Sequence, residues 1–332
     1  MQPATGTLQK NMYRFTPILK TKLWGGDRIA AYKGIATDLK RVGESWELSG
    51  LEGDISVVAT GADAGMTLEA LIARDKERLL GVRNYARYGT EFPLLVKFID
   101  AREDLSIQVH PNDEIAETRH RSKGKTEMWY VVAADEGAHL YAGFREKTTP
   151  EEYARSVAEN RITDLLADHA VSPGDVFFLP AGCVHSIGAG TFLAEIQQTS
   201  DLTYRIYDFD RRDAEGKTRE LHTDLAREAI DFMALPGDRT RYERNANAEV
   251  ELITCPYFTT MLHEATRPGA LDLTTTDSFL VAICIEGRGT LDDGLGAPEP
   301  IRQGETVLVP ASAASLTIRP EGGMKLLTSR IE

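Results

Sequence analysis

Pro173-Gly174-Asp175-Val176-Phe177-Phe178-Leu179-Pro180-Ala181-Gly182-Cys183-Val184-His185 decides the fold, because the chain carries a second version of it. Laid over Gln303-Gly304-Glu305-Thr306-Val307-Leu308-Val309-Pro310-Ala311-Ser312-Ala313-Ala314-Ser315, it keeps the Gly, the acid, the apolar strand and the Pro. Gly and Pro punctuate the chain between two strands. Upstream, Trp129 to Gly137 resembles Leu280 to Gly287. The histidine is what changes: Ser315 stands where His185 does. Two related β-units are therefore expected, the second a degenerate copy. If the shared pattern were only scaffold, His185 would not be needed, since Ser315 does without it.

Short apolar or alternating runs extend outward from this pair, punctuated by Gly, Pro and Asp, and read as strands. They are Phe92 to Ile99, Ser106 to His110, Glu127 to Ala133, Asp175 to Leu179, Phe192 to Gln198, Thr203 to Phe209, Phe279 to Ile285 and Thr306 to Val309. Helical patterns are fewer. Thr67 to Leu80 places Leu68, Leu71, Ile72 and Leu79 at helical spacing. Thr149-Pro150-Glu151-Glu152 is a helix start, with the helix expected to run towards Asp168. A third helix is expected over Thr223 to Met233. Many strands with a few helices between them suggest a mainly β architecture of barrels or sandwiches with short helical insertions.

The chain has 332 residues, a length that favours about two domains. Arg239 to Glu249 is polar and reads as a linker, so residues 1–245 form the expected catalytic domain and 246–332 the expected C-terminal β-domain without ligands. With 38 Lys+Arg against 51 Asp+Glu, the net charge is -13, which argues against nucleic-acid and anionic-membrane partners. From Ala246 onward 12 acids meet 6 bases, so -6 of the net charge of -13 sits in the last quarter of the chain. Three widely spaced cysteines, Cys183, Cys255 and Cys284, fit a reduced chain. No run approaches a signal peptide or membrane span, so the cytoplasm is expected.

The candidate chemistry starts at Leu105-Ser-Ile-Gln-Val-His-Pro111. Strand alternation puts Ser106, Gln108 and His110 on one face. Polar groups facing a core need a partner, either a hydrogen-bonding neighbour or a metal. In Gly124-Lys-Thr-Glu-Met-Trp129, Lys125, Glu127 and Trp129 share a face. Glu127 is either the ion-pair partner of Lys125 or a metal ligand, with Lys125 reaching substrate beside it. His185 opens a third strand. His110, Glu127 and His185, with Gln108 as a possible fourth, make an N/O set that suits zinc and also iron or manganese. Glu195 and Arg205 are further inward polar candidates. Arg205 is either paired with Asp208 or another carboxylate, or a fixed cation facing developing negative charge. His120, His139, His169, His222 and His263 lack ligand-like context. Trp24-Gly-Gly26 and Gly43 to Gly50 read as bends beside a pocket.

These residues together resemble a cupin, and more closely the type I phosphomannose isomerase family in its shorter bacterial form. The resemblance rests on Trp24-Gly-Gly26, Gly43-Glu-Ser-Trp-Glu47, Phe92 to Asp100, Gln108-Val-His-Pro111, Lys125-Thr-Glu-Met-Trp-Tyr130, Pro180 to Gly188 and Tyr204-Arg-Ile-Tyr-Asp208. It implies a double-stranded β-helix, one zinc ion per chain and aldose-ketose isomerisation of mannose 6-phosphate and fructose 6-phosphate. It also implies that His110, Glu127, His185 and Gln108 are metal ligands and that Arg205 is catalytic. Lys97 and Lys125 would stand at the substrate, with Ser106 and Glu195 beside them. Lys125, Glu195 and Glu47 are candidate bases, and Lys97, Ser106 and Lys125 candidate phosphate contacts. The spacing from His110 to Glu127 departs from the general cupin pattern and argues against a cupin oxygenase. A sugar-phosphate-binding cupin without activity would be expected to have lost a ligand or the arginine. Monomer and homodimer both stay open.

Overall fold

The computed structural model describes residues 11–233 and 239–332. The chain passes repeatedly between two compact units. Among the described residues, one comprises Leu19–Trp46 and Leu94–Arg241; the other comprises 11–18, Glu47–Pro93 and Tyr242–Glu332. The two units of a double-stranded β-helix are visible in the matched segments. Val176–Leu179 and Thr306–Val309 are the equivalent strands, each following a Gly of positive φ, Gly174 and Gly304. After Pro180 and Pro310, a turn leads to strands that open on His185 and Ser315.

In the first unit, two antiparallel sheets face each other. The larger has strand order Ile18–Thr21, Val42–Leu48, Leu94–Asp100, Thr191–Gln198, Glu127–Ala134, Val176–Leu179. The smaller has the order Tyr204–Tyr207, Ile107–Val109, His185–Ile187, His139–Phe144, Leu166–Ala170. Between them lies a core in which Trp129, Val131 and Leu193 of the larger sheet join Leu140, Ala142 and Ile187 of the smaller. Fully burying one side chain of the Val or Leu class contributes about 1.5–3 kcal/mol, so this layer fixes which face of each strand turns inward.

Register then sets the polar residues. On the smaller sheet His185 pairs with Gln108, and Gln108 with Arg205, placing three polar side chains in one row. On the larger sheet Lys97 pairs with Glu195, and Glu195 with Trp129. Gln197 pairs with Glu127 in the row beside it.

The second unit contains an eight-stranded sheet. Leu280, Ala282, Cys284, Leu316 and Ile318 fill its interior with apolar volume. Ser315 pairs with Asp272 at the start of its strand, and Leu316 turns into the core. That interior has no cradle of ligand atoms among the described residues.

The helices are shorter than their spacing predicts. The expected helix to Leu80 divides at Lys76, whose φ is 46°, into Leu68–Asp75 and Glu77–Leu80. The Thr149-capped helix stops at Ala158, not near Asp168. Asn160 turns left-handed, and Leu166–Ala170 becomes a strand paired with His139–Phe144. The helix from Thr223 ends at Ala229; Ile230 is extended, and the Asp231 N–H donates to the Gly182 carbonyl. Gly43-Glu-Ser-Trp-Glu47 is strand, not bend. Asp113–His120 is a helix that the spacing analysis missed; Asn112 caps it by accepting from Ile115 N at 3.0 Å. Trp24-Gly-Gly26 is a tight passage, since a Cβ on Gly26 would lie 2.1 Å from the Asp100 carboxylate. No helix among the described residues is long and apolar enough to cross a membrane.

Candidate metal centre and cavity

His110 follows strand Ile107–Val109, Glu127 opens Glu127–Ala134 and His185 opens His185–Ile187. The two facing sheets thus deliver one residue from each of three strand ends. Their ligand atoms all lie within 4.8 Å of one another, and all three side chains are buried. Each imidazole is oriented from behind. His110 Nδ1 lies 2.8 Å from the Leu202 carbonyl, and His185 Nδ1 lies 2.9 Å from the Cys183 carbonyl. A carbonyl only accepts, so each Nδ1 carries the proton and each Nε2 presents a lone pair to the centre.

Burial disfavours the imidazolium at both positions, and the Lys125 ammonium adds to this. His110 is held well below its usual range and His185 at about 4. Both are neutral near pH 7, the form in which imidazole binds metal. Glu127 is pushed the other way, to about 7, by burial and then by Glu195. Its Oε2 accepts from Lys125 Nζ. Its Oε1 is buried without a hydrogen-bond partner and lies 3.3 Å from His185 Nε2. An acceptor facing a lone pair at that distance is geometry that suits a shared cation. A divalent ion with N/O preference fits this donor set. Gln108 stands at its edge, with Nε2 3.3 Å from His185 Nε2. A half-turn of its amide presents Oε1 at the same place, so Gln108 can serve as a fourth oxygen donor.

The centre lies beside a cavity of about 350 Å³. Lys97, Ser106, Gln108, Lys125, Glu195 and Arg205 all line it. Glu195 is held down to about 2; burial opposes this, but Lys125 and Lys97 outweigh it. It accepts from Trp129 Nε1 at 2.9 Å and pairs with Lys97 Nζ at 3.2 Å. Burial disfavours the Lys97 ammonium, but Glu195 and Glu44 more than restore it. Arg205 is not paired with Asp208; its Nη1 donates to the Glu220 carbonyl at 2.9 Å.

Two models of known families match this chain: phosphomannose isomerase type I, catalytic domain, over residues 12–137, and mannose-6-phosphate isomerase, cupin domain, over 248–331. Mannose-6-phosphate isomerase ManA of Bacillus subtilis is 37% identical over 299 residues, 89% of this chain and 92% of the relative. The chain belongs to the type I phosphomannose isomerase family. Mannose-6-phosphate isomerase of Streptococcus mutans is 33% identical over 312 residues, 93% of this chain and 94% of that one. The crystal structure of the Bacillus subtilis mannose 6-phosphate isomerase superposes with a TM-score of 0.86 at 29% identity, covering 97% of this chain and all of its own. Family and fold are those that Gln108-Val-His-Pro111 and Lys125-Thr-Glu-Met-Trp-Tyr130 led us to expect.

Within the family fold, the cavity also has walls that the sequence reading missed. Lys22, Asp201 and Arg219 are such walls; Trp24 and Glu44, from the segments expected beside a pocket, line it as well, and Glu47 does not. Trp46 Nε1 donates to Glu44 Oε2 at 2.8 Å, so Glu44 and Trp46 share a face and Glu47 takes the other. The alternation within Gly43 to Glu47 was the available signal, once that segment is read as strand. Lys97 Nζ and Lys20 Nζ each lie over the Trp46 ring, at 5.0 and 4.7 Å from its centroid. Among the described lining residues, five cations face three carboxylates, so the cavity is locally cationic within an acidic chain.

Proposed function

We propose that this chain is a zinc-dependent isomerase that interconverts mannose 6-phosphate and fructose 6-phosphate by proton transfer between C2 and C1 through a cis-enediol. One observation carries the reading. Glu127 Oε1, buried without a hydrogen-bond partner, and two neutral imidazoles oriented from behind form a donor set that suits a divalent cation, and it adjoins a sugar-sized cationic cavity. His110, Glu127 and His185 would hold zinc, with Gln108 as a fourth donor; iron or manganese would suit the same atoms. When bound, the ion supplies Lewis-acid polarisation of the sugar oxygens.

The remaining roles belong to the chain's own residues. Arg205, in register with Gln108, adds a fixed positive group at the oxygens where enediolate charge develops, which contributes a few kcal/mol in comparable sites. Among the candidate bases, Glu47 is outside the cavity and Glu195 is held too acidic to take a proton readily. That leaves Lys125, which would have to give up its own proton once a metal is bound at Glu127 before it could take the C2 proton and return it at C1. Lys97, Ser106 and Glu195 orient the sugar hydroxyls. The chemistry is assigned to residues within 1–245, and 246–332 is assigned none. Three free cysteines are consistent with a cytoplasmic enzyme.

The test is a coupled assay of zinc-loaded protein with fructose 6-phosphate and mannose 6-phosphate. Turnover in both directions, with at most weak turnover of unphosphorylated fructose and mannose, is expected. Sugar-phosphate binding without turnover would replace the enzyme reading with a binding one.

A further inference from the structure

The cations of the cavity differ in how far the protein already neutralises them. Lys22 pairs with Glu44 at 3.1 Å, and Lys97 with Glu195 at 3.2 Å and Asp201 at 3.9 Å. Lys125 pairs with Glu127 and lies 3.8 Å from Glu195. Each of these lysines has a nearby carboxylate, and a phosphate there would meet Glu44, Glu195 or Glu127 at close range.

The side of the cavity formed by Arg205 and Arg219 has the opposite balance. Asp208 is the one carboxylate in ion-pair contact with this group, held by Arg211 and Arg219, while Arg205 feels Asp208 and Glu220 only at longer range. Arg219 holds it with two donors, Nε to Oδ2 at 2.7 Å and Nη2 to Oδ1. Arg211 reaches the same Oδ1 at 3.3 Å and donates Nη2 to the Asp104 carbonyl at 2.5 Å. Arg205 forms no ion pair within 4.0 Å among the described residues, and its Nε is buried without a partner. Of these arginines, Arg205 and Arg219 line the cavity, and Arg205 has no carboxylate in contact, although Glu220, Glu103 and Asp104 act on the group from further away. A phosphate ester carries about -1.5 to -2 near pH 7, and Arg205 and Arg219 are the guanidiniums of the cavity that can meet it.

We propose that Arg219 is the phosphate-binding residue of this cavity, with Asp208 as the positioning residue that fixes its fork. This inference rests on the sugar-phosphate reading above and moves the phosphate from the Lys97–Lys125 wall to the arginine wall. The two-point grip by Asp208 holds the guanidinium plane before substrate arrives, which lowers the ordering cost of binding. Arg219 then offers its remaining N–H groups to the phosphate oxygens, and Arg205 beside it adds its field while staying at the reacting end. A lysine at position 219 would keep the charge and lose the fork.

The experiment compares zinc-loaded wild type with Arg219→Gln and Arg219→Lys. The readouts are KM and kcat for mannose 6-phosphate, calorimetric binding of inorganic phosphate, zinc content and Tm. Loss of one bidentate charged contact predicts a rise of about 10- to 100-fold in both KM and the phosphate Kd, with kcat within about threefold. Arg219→Lys should fall between the two. An unchanged KM and phosphate Kd, or a loss confined to kcat, overturns the assignment. If Arg219→Gln loses its fold or its zinc, Arg219→Lys decides by the same criteria. If the wild type binds phosphate but turns over no mannose 6-phosphate, the isomerase reading fails, while loss of phosphate binding in the variants still supports an anion site at Arg219.

Discussion

Lys125→Met tests how the buried charges of the centre are balanced. Lys125 is 3% exposed, and its ammonium contacts Glu127, stands 3.2 Å from His110 Nε2 and lies 3.8 Å from Glu195. In metal-free protein it is the cation that pairs with Glu127. Methionine keeps the length and apolar stem but leaves two buried carboxylates with only Lys97 close to either. Removing one partner of a buried ion pair costs roughly 3–5 kcal/mol. For a unit of this size, 1 kcal/mol moves Tm by roughly 2–4 °C, so metal-free Lys125→Met should melt about 10 °C below metal-free wild type. Zinc would replace the missing charge, so the gap between metal-free and zinc-loaded Tm should be wider in the variant than in wild type. Differential scanning calorimetry with and without a chelator reads both numbers. A metal-free variant as stable as metal-free wild type would show that the ammonium does not balance the carboxylates, and the account of the centre's electrostatics would be wrong.

Three further outcomes are expected. Arg205→Ala should lower kcat by about 100-fold or more with zinc content unchanged, because its charge is aimed at developing negative charge; a loss that only follows lost metal or unfolding removes it from the chemistry. Metal-free protein should lose stability as pH falls from about 6.5 towards 4. His110 and His185 stay neutral when folded, so the unfolded chain binds more protons in that window and is favoured. Glu127 works in the opposite sense between about 7 and 4.5, but one group does not offset two; chemical denaturation across this range checks the slope. Gly26→Ala should destabilise the fold by driving a methyl into the Asp100 carboxylate, which holds Arg28 through N at 2.7 Å and Nε at 2.6 Å; a Tm within 1 °C of wild type would refute that reading.

Much of the site was legible because it lies on strands. Period-two alternation put Gln108 with His110 and Lys125 with Glu127 without knowledge of the sheet, whereas the pairing of Glu195 with Lys97 is set by strand register. The repeat identified His185, because the copy ending in Ser315 shows what the scaffold needs alone. What escaped depends on contacts distant in sequence. Arg219 enters the cavity through its grip on Asp208, eleven residues away. Glu44 displaced Glu47 as a cavity residue once Gly43 to Glu47 proved to be strand. Helix ends were misplaced where one residue, Lys76 or Asn160, adopts a left-handed φ that composition does not announce. Residues 47–93 group with the C-terminal β-unit, a discontinuity that no local pattern carries.

The central claim is that His110, Glu127 and His185 hold the ion on which isomerisation depends. Zinc titration of chelator-dialysed protein, followed by mannose 6-phosphate turnover, tests it most directly. The account predicts that activity is absent at the start, rises linearly and saturates at one zinc per chain. Full turnover before any metal is added would contradict it.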